Sequence, residues 1–153
     1  MRILVAAVGK PRDAGMAAAI RDYESRAARY WPLEVLEVRE EPARGASPAL
    51  VRRREGERLA DAAGQATVVA CDPGGRTMDS EAFAGWLQRQ REGGRDLAFL
   101  VGGAYGLDSS LLEGAALRLA LAPWTLPHEL ARLVLAEQLY RAGTIQRGEP
   151  YHK

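Results

Sequence analysis

Residues 97–142 read LAFLVGGAYGLDSSLLEGAALRLALAPWTLPHELARLVLAEQLYRA, and the fold follows from how this stretch divides. Leu97 to Val101 is a continuous apolar run, the pattern of a strand covered on both faces. Gly102 and Gly103 follow at once. A glycine pair there lets the chain turn sharply and lets a ligand approach the backbone; by itself it also fits a plain turn. Asp108 or Ser109 is placed to cap a short helix. A second strand is expected over Leu117–Leu121. Pro123 and Pro127 then bracket a stiff loop, because each proline fixes its own φ and restricts the residue before it. Thr125 is the expected N-cap of a helix from Pro127 to Ala142, with Pro127 tolerated in its first turn. A rigid loop at the carboxyl end of a strand, opening into a helix N-terminus, is where open α/β sheets bind ligands. Its backbone groups suit a planar polar group such as an adenine.

The final helix is apolar on two sides. Leu130, Leu133, Val134 and Tyr140 mark one face, and Ala131, Leu135, Leu139 and Ala142 another, so burial is expected nearly all round. Glu137 and Arg141 lie one i,i+4 step apart on the side of Leu130 and Val134. They fit a helical ion pair or the edge of a subunit interface or site. Beyond the helix the chain is polar, and a frayed tail is expected unless a partner orders it.

Upstream, strands are expected at Ile3–Val8, Leu33–Val38 and Ala66–Cys71, and helices at Asp13–Tyr30, Pro48–Ala63 and from Ser80 or Asp79 to Glu92. Gly9-Lys10-Pro11 and Asp72-Pro73-Gly74-Gly75-Arg76 are turns. This alternation predicts a mostly parallel sheet with helices on both faces. Connection rules alone predict it unknotted. Arg52-Arg53-Arg54 with Arg58 is the densest basic spot, read either as a solvated helix face partly neutralised by Glu55 and Glu57 or as an RNA contact.

At 153 residues, 47% hydrophobic and 27% charged, the chain suits one globular domain over 1–153. Its single cysteine excludes an internal disulfide, and one cysteine with two histidines makes a metal cluster an unsuitable reading. No run approaches a membrane span and no signal-peptide pattern opens the chain, so the expected setting is the cytoplasm, away from membranes. Net charge is +1, so nucleic-acid contact must come from local patches.

Taken together, GGAYGL at 102–107, the stretch from Thr125 to Ala142, the closing GEPYHK, the opening RILVAAVGK and CDPGGRTMDSEAFA at 71–84 resemble the RlmH family. These are bacterial methyltransferases of a 23S ribosomal RNA pseudouridine, within the SPOUT class. The resemblance covers nearly the whole chain. It implies an α/β-knot fold with the last helix threaded as a deep trefoil knot, S-adenosylmethionine as cofactor, a homodimer, and 23S RNA in the large subunit or assembled ribosome as partner, with no metal. Three strand ends are then the expected cofactor pocket: Cys71 and Asp72; Gly102 and Gly103; and Ala122, Pro123, Trp124, Thr125, Leu126 and Pro127. Cys71 departs from the leucine-like residue usual at its position, although a small hydrophobe also lines a pocket.

The acceptor, N3 of a pseudouridine, must lose a proton, which suits histidine. His128 lies in the first turn of the last helix and His152 in the tail. Tyr151 and Arg141 complete the expected catalytic set, and Arg147 and Lys153 are expected on RNA. Two other readings compete: a SPOUT enzyme with another ribosomal or transfer RNA target, and a flavodoxin-like nucleotide-binding module without catalysis. The tail PYHK favours the first reading, because a binding module has no need of it.

Overall fold

The computed structural model describes all residues 1–153. Strands β1 (Ile3–Val8), β2 (Leu33–Val38), β3 (Thr67–Thr77), β4 (Leu97–Val101) and β5 (Leu117–Ala120) alternate with helices α1 (Ala14–Ala27), α2 (Pro48–Ala63), α3 (Ser80–Glu92), α4 (Ser109–Gly114) and α5 (His128–Gln146). The strands form one sheet in the order β2-β1-β4-β3-β5, every pairing parallel. Parallel neighbours require crossovers, and the intervening helices supply them.

Strand alternation sends successive side chains to two cores. On one face Ile3, Val5, Val69, Phe99 and Val101 meet Ala27, Trp31, Leu87, Leu135 and Leu139 from the side of α1, α3 and α5. On the other, Ala6, Val8, Ala70, Ala98 and Leu100 meet Leu59 and Ala63 of α2. Every residue of β4 is buried, as its unbroken apolar run requires. The Trp31 indole N–H donates to the Leu139 carbonyl at 2.8 Å, tying the end of α1 to the middle of α5.

Four expectations are corrected. First, β3 does not end at Cys71. The pairing breaks over residues 72–75 and the chain returns to pair Arg76 with Leu119 and Thr77 with Ala120. Gly75 permits the return, since a Cβ there would stand 2.6 Å from the Arg118 carbonyl carbon. Second, Thr125 does not cap α5. Pro127 occupies the N-cap position with φ −53° and ψ 144°, and no side chain caps the helix. Third, α5 runs past Ala142 to Gln146. Gly143 sits inside it because the Tyr30 ring fills the space that any side chain there would need. Fourth, the tail is not frayed on its own chain: Pro150–His152 forms a 3₁₀ turn packed on α5.

A candidate active site at three strand ends

Strands β4, β3 and β5 are adjacent and parallel, so their carboxyl ends open on one edge. A pocket of about 830 Å³ lies there, the position where open α/β sheets hold ligands. Cys71 and Asp72 enter it from β3, Gly102 and Gly103 from the turn after β4, and Ala122, Trp124, Thr125, Leu126 and Pro127 from the loop after β5. His128 and Ala131 close it from α5. Of the expected cofactor residues only Pro123 is not on its wall.

The glycine turn is shaped by exclusion. A Cβ on Gly102 would stand 2.6 Å from the Gly106 carbonyl carbon, and Gly106 itself has φ +79°. The turn closes with the Gly106 N–H donating to the Gly103 carbonyl at 3.0 Å. No side chain fits at Gly102 without moving this backbone, and the turn from Gly102 to Leu107 lines the pocket. Asp72 is already engaged: one carboxylate oxygen accepts from the Gly74 N–H at 3.1 Å and from Arg118 at 2.9 Å. It holds the bulge that forms the pocket wall. Burial pushes the Cys71 thiol up to about 12, so Cys71 lines the pocket as a protonated, unreactive group. Trp124 is 77% exposed, standing on the rim beside Tyr105 and Arg52.

The other expected residues gather at the opposite end of α5. Its 19 residues span about 28 Å. There the Tyr151 ring lies 4.5 Å from the Tyr140 ring. The Arg141 guanidinium sits 4.9 Å over the Tyr151 ring and bonds Glu137 Oε1 at 2.7 Å. The Tyr151 hydroxyl donates to the same oxygen at 3.2 Å. Burial first, then sharing with Tyr23 and Glu137, raises the Tyr151 hydroxyl above the ordinary tyrosine value. The Tyr30 hydroxyl donates to Glu149 at 2.5 Å, and Arg147 lies 4.5 Å over the Tyr30 ring. His152 is half-buried, and its Nδ1 is buried with no partner. Lys153 is exposed. One chain therefore presents two clusters, the pocket with His128 and the tail with Arg141, Tyr151 and His152, and does not bring them together. No three His, Cys, Asp or Glu side chains converge as a metal site.

Sequence reasoning missed two charges buried on helices. Arg132, 6% exposed, is clamped by Glu24 at 3.0 Å and Glu37 at 2.6 Å. Burial pulls its pKa down, but these hydrogen bonds outweigh it and hold the group above its ordinary value. Glu55, 2% exposed, lies behind Gly103. Both interrupt buried helical stripes, Arg132 before Leu135, Ala136 and Leu139, and Glu55 between Val51 and Leu59. A charge on an apolar stripe was the available signal. The basic run is also resolved differently: Glu41, not Glu55 or Glu57, pairs with both Arg54 and Arg58, while Arg52 turns to the pocket.

A family described as "Predicted SPOUT methyltransferase" matches residues 1–152. The chain belongs to the SPOUT methyltransferase family. Among relatives, the SPOUT chain is 64% identical to "Ribosomal RNA large subunit methyltransferase H" of Gemmatimonas aurantiaca, with all of both chains covered. A protein of the same name from Anaeromyxobacter sp. (strain Fw109-5) is 47% identical, again over 100% of each. A crystal structure described as a probable methyltransferase from Bordetella pertussis Tohama I superposes with TM-score 0.59 at 19% identity, covering 92% of this chain and 95% of that one. That likeness bears on the fold alone.

Proposed function

We propose that the protein is an S-adenosylmethionine-dependent methyltransferase of the cytoplasm that methylates N3 of a pseudouridine in 23S ribosomal RNA of the large subunit or ribosome. The observation that carries this is the pocket built from three parallel strand ends, with a backbone-lined glycine turn and an uncapped helix start. Full-length relatives named for ribosomal RNA methylation support the substrate class.

The pocket fits the cofactor on its own terms. Gly102 and Gly103 line it, and a Cβ on either would meet protein atoms, the Gly106 backbone or Glu55 and Val8. The loop Ala122–Pro127 is held stiff by two prolines. In this reading Gly102, Gly103 and the 122–127 loop hold the cofactor, Cys71 supplies an apolar contact, and Asp72 keeps the wall in shape. The cofactor supplies a methyl group on a sulfonium, so transfer is an in-line displacement. What remains for the protein is placing the acceptor nitrogen and removing its proton.

The tail suits that task, and a homodimer would bring it to the partner's pocket. Leu130, Leu133 and Val134 remain half-buried on the stripe of α5 that carries Glu137 and Arg141, a face that a second copy would cover. His152, with a buried unpartnered nitrogen, would orient or deprotonate N3, with His128 beside the pocket as the second imidazole. Tyr151 would stack on or bond the base, and Arg141, Arg147 and Lys153 would hold phosphates. The trefoil knot belongs to the same proposal. The segment after Cys71 returns to pair with the end of β5 from which the chain leads into α5, an arrangement compatible with threading of α5.

Calorimetric titration tests the cofactor reading. Binding of S-adenosylmethionine with no binding of FMN or ATP is expected, and the reverse order would overturn it. Light scattering at micromolar concentration should return a dimer mass; a monomer would remove the tail-in-partner arrangement.

A further inference from the structure

Glu55 is a buried acid packed against the pocket wall. Its Oε2 accepts the Glu41 N–H at 3.0 Å, whereas Oε1 has no partner in the protein. Oε1 stands 2.9 Å from where a Cβ on Gly103 would be, with Val8 Cγ1 at 3.1 Å. Gly103 lines the pocket, so the carboxyl rests directly on the backbone of a pocket residue, with no side chain between. Val8, beside the same Gly103 position, belongs with Leu59 and Leu107 to the buried apolar cluster on this face of the sheet. The charged groups facing Glu55 are Glu40 and Glu41 from the loop after β2 and Arg58 from α2. Arg58 and its neighbour Arg54 are each bound to the Glu41 carboxylate. Glu55 thus has no counter-ion of its own, and burial holds its carboxyl above the ordinary value.

Resting on the S-adenosylmethionine reading, we propose that Glu55 is a specificity-determining residue whose carboxylate favours a cationic sulfonium in the pocket over the neutral thioether left after methyl transfer. A desolvated acid beside a site responds to a cation by ionising, because opposite charge favours its charged form. Glu55 gives up its proton when a cation occupies the pocket and takes one back when the charge has gone. The methyl moves from sulfur to N3, the N3 proton leaves, and the sulfur keeps the electron pair of the broken bond. The site thereby weakens its hold on the product without any movement of the chain.

The test is calorimetric titration of the full chain and of Glu55→Gln with S-adenosylmethionine, S-adenosylhomocysteine and sinefungin, which carries an ammonium in place of the sulfonium. Buffers of different ionisation enthalpy, from about pH 5 to about pH 8, count the protons released. Gln keeps an oxygen for the Glu41 N–H. The wild type is expected to release protons with both cationic ligands and not with S-adenosylhomocysteine. Glu55→Gln is expected to lose that release and about tenfold of the cation preference, the scale of one charge pair in a partly desolvated site. An unchanged preference in Glu55→Gln, or an equal loss for charged and neutral ligands, overturns the inference while leaving the cofactor reading intact. A wild type that binds none of the three overturns both. If Glu55→Gln fails to fold, the ¹³C carboxyl resonance of Glu55 in the wild type decides: ionisation on adding sinefungin but not S-adenosylhomocysteine supports the inference, and no difference between them overturns it.

Discussion

Replacing Gly103 by alanine tests the pocket wall with a single added atom. The new Cβ would stand 2.9 Å from Glu55 Oε1 and 3.1 Å from Val8 Cγ1, both shorter than the ordinary contact range of 3.4–4 Å. Neither neighbour yields easily. Val8 is 4% exposed within β1 and stiff at χ1, and Glu55 is anchored through Oε2 to the Glu41 N–H. Gly102 has no room to absorb the shift, since the Gly106 backbone fills its own Cβ direction at 2.6 Å. The strain therefore falls on the turn Gly102–Gly106, which moves toward the pocket. Overpacking of this kind costs about 1–3 kcal/mol, so the melting temperature should fall by about 2–10 °C. If the same displacement narrows the pocket, affinity for S-adenosylmethionine should fall by about tenfold to about a hundredfold. Thermal melting and calorimetric titration on one preparation measure both. A variant that melts lower but binds within about twofold of wild type would refute the assignment of this turn to the cofactor, and leucine at the same position should abolish binding outright.

Other perturbations separate the two halves of the site. A chain ending at Glu149 should fold, dimerise and bind S-adenosylmethionine, because Tyr30–Glu149 and the α5 core remain, but should methylate about 10²-fold more slowly; loss of cofactor binding instead would place the tail in the wrong half. Arg132→Gln leaves Glu24 and Glu37 facing each other without their cation, a loss of about 3 kcal/mol and so about 10 °C in melting temperature; a shift below about 2 °C would show that the carboxylates find water. Hydrogen bonds from Arg54 and Arg58 hold Glu41 below its ordinary 4.5, so its stabilisation is present above that value and is lost as pH falls through the lower folded one. The stability gap between wild type and Glu41→Gln should therefore close on acidification, and a gap that widens would contradict the pairing.

Local patterns were sufficient wherever the physics was local. The run at Leu97–Val101 is buried on both faces, and the alternation of strands and helices recovered the parallel sheet and its helices on both faces. Strand carboxyl ends and paired glycines located the pocket wall. What escaped depended on residues far apart in the chain. Gly143 has the look of a helix stop, yet the helix continues through it because Tyr30 occupies its missing side chain. The tail looks solvated, yet Glu149 is held by Tyr30, 119 residues away. The turn at Asp72–Gly75 was legible, but its return to β5 depends on Arg118, 46 residues away from Asp72. Arg132 and Glu55 were the reverse case: each broke an apolar stripe in plain view.

Nucleoside mass spectrometry reads the proposed methylation of a 23S RNA pseudouridine at the base itself. The measurement compares 23S RNA from a bacterial strain lacking its own enzyme of this family, carrying either this chain or the chain ending at Glu149. The full chain is expected to restore a singly methylated pseudouridine, with methyl on N3, and the shortened chain is not. Unmodified 23S RNA in the presence of the folded full-length protein would contradict the claim.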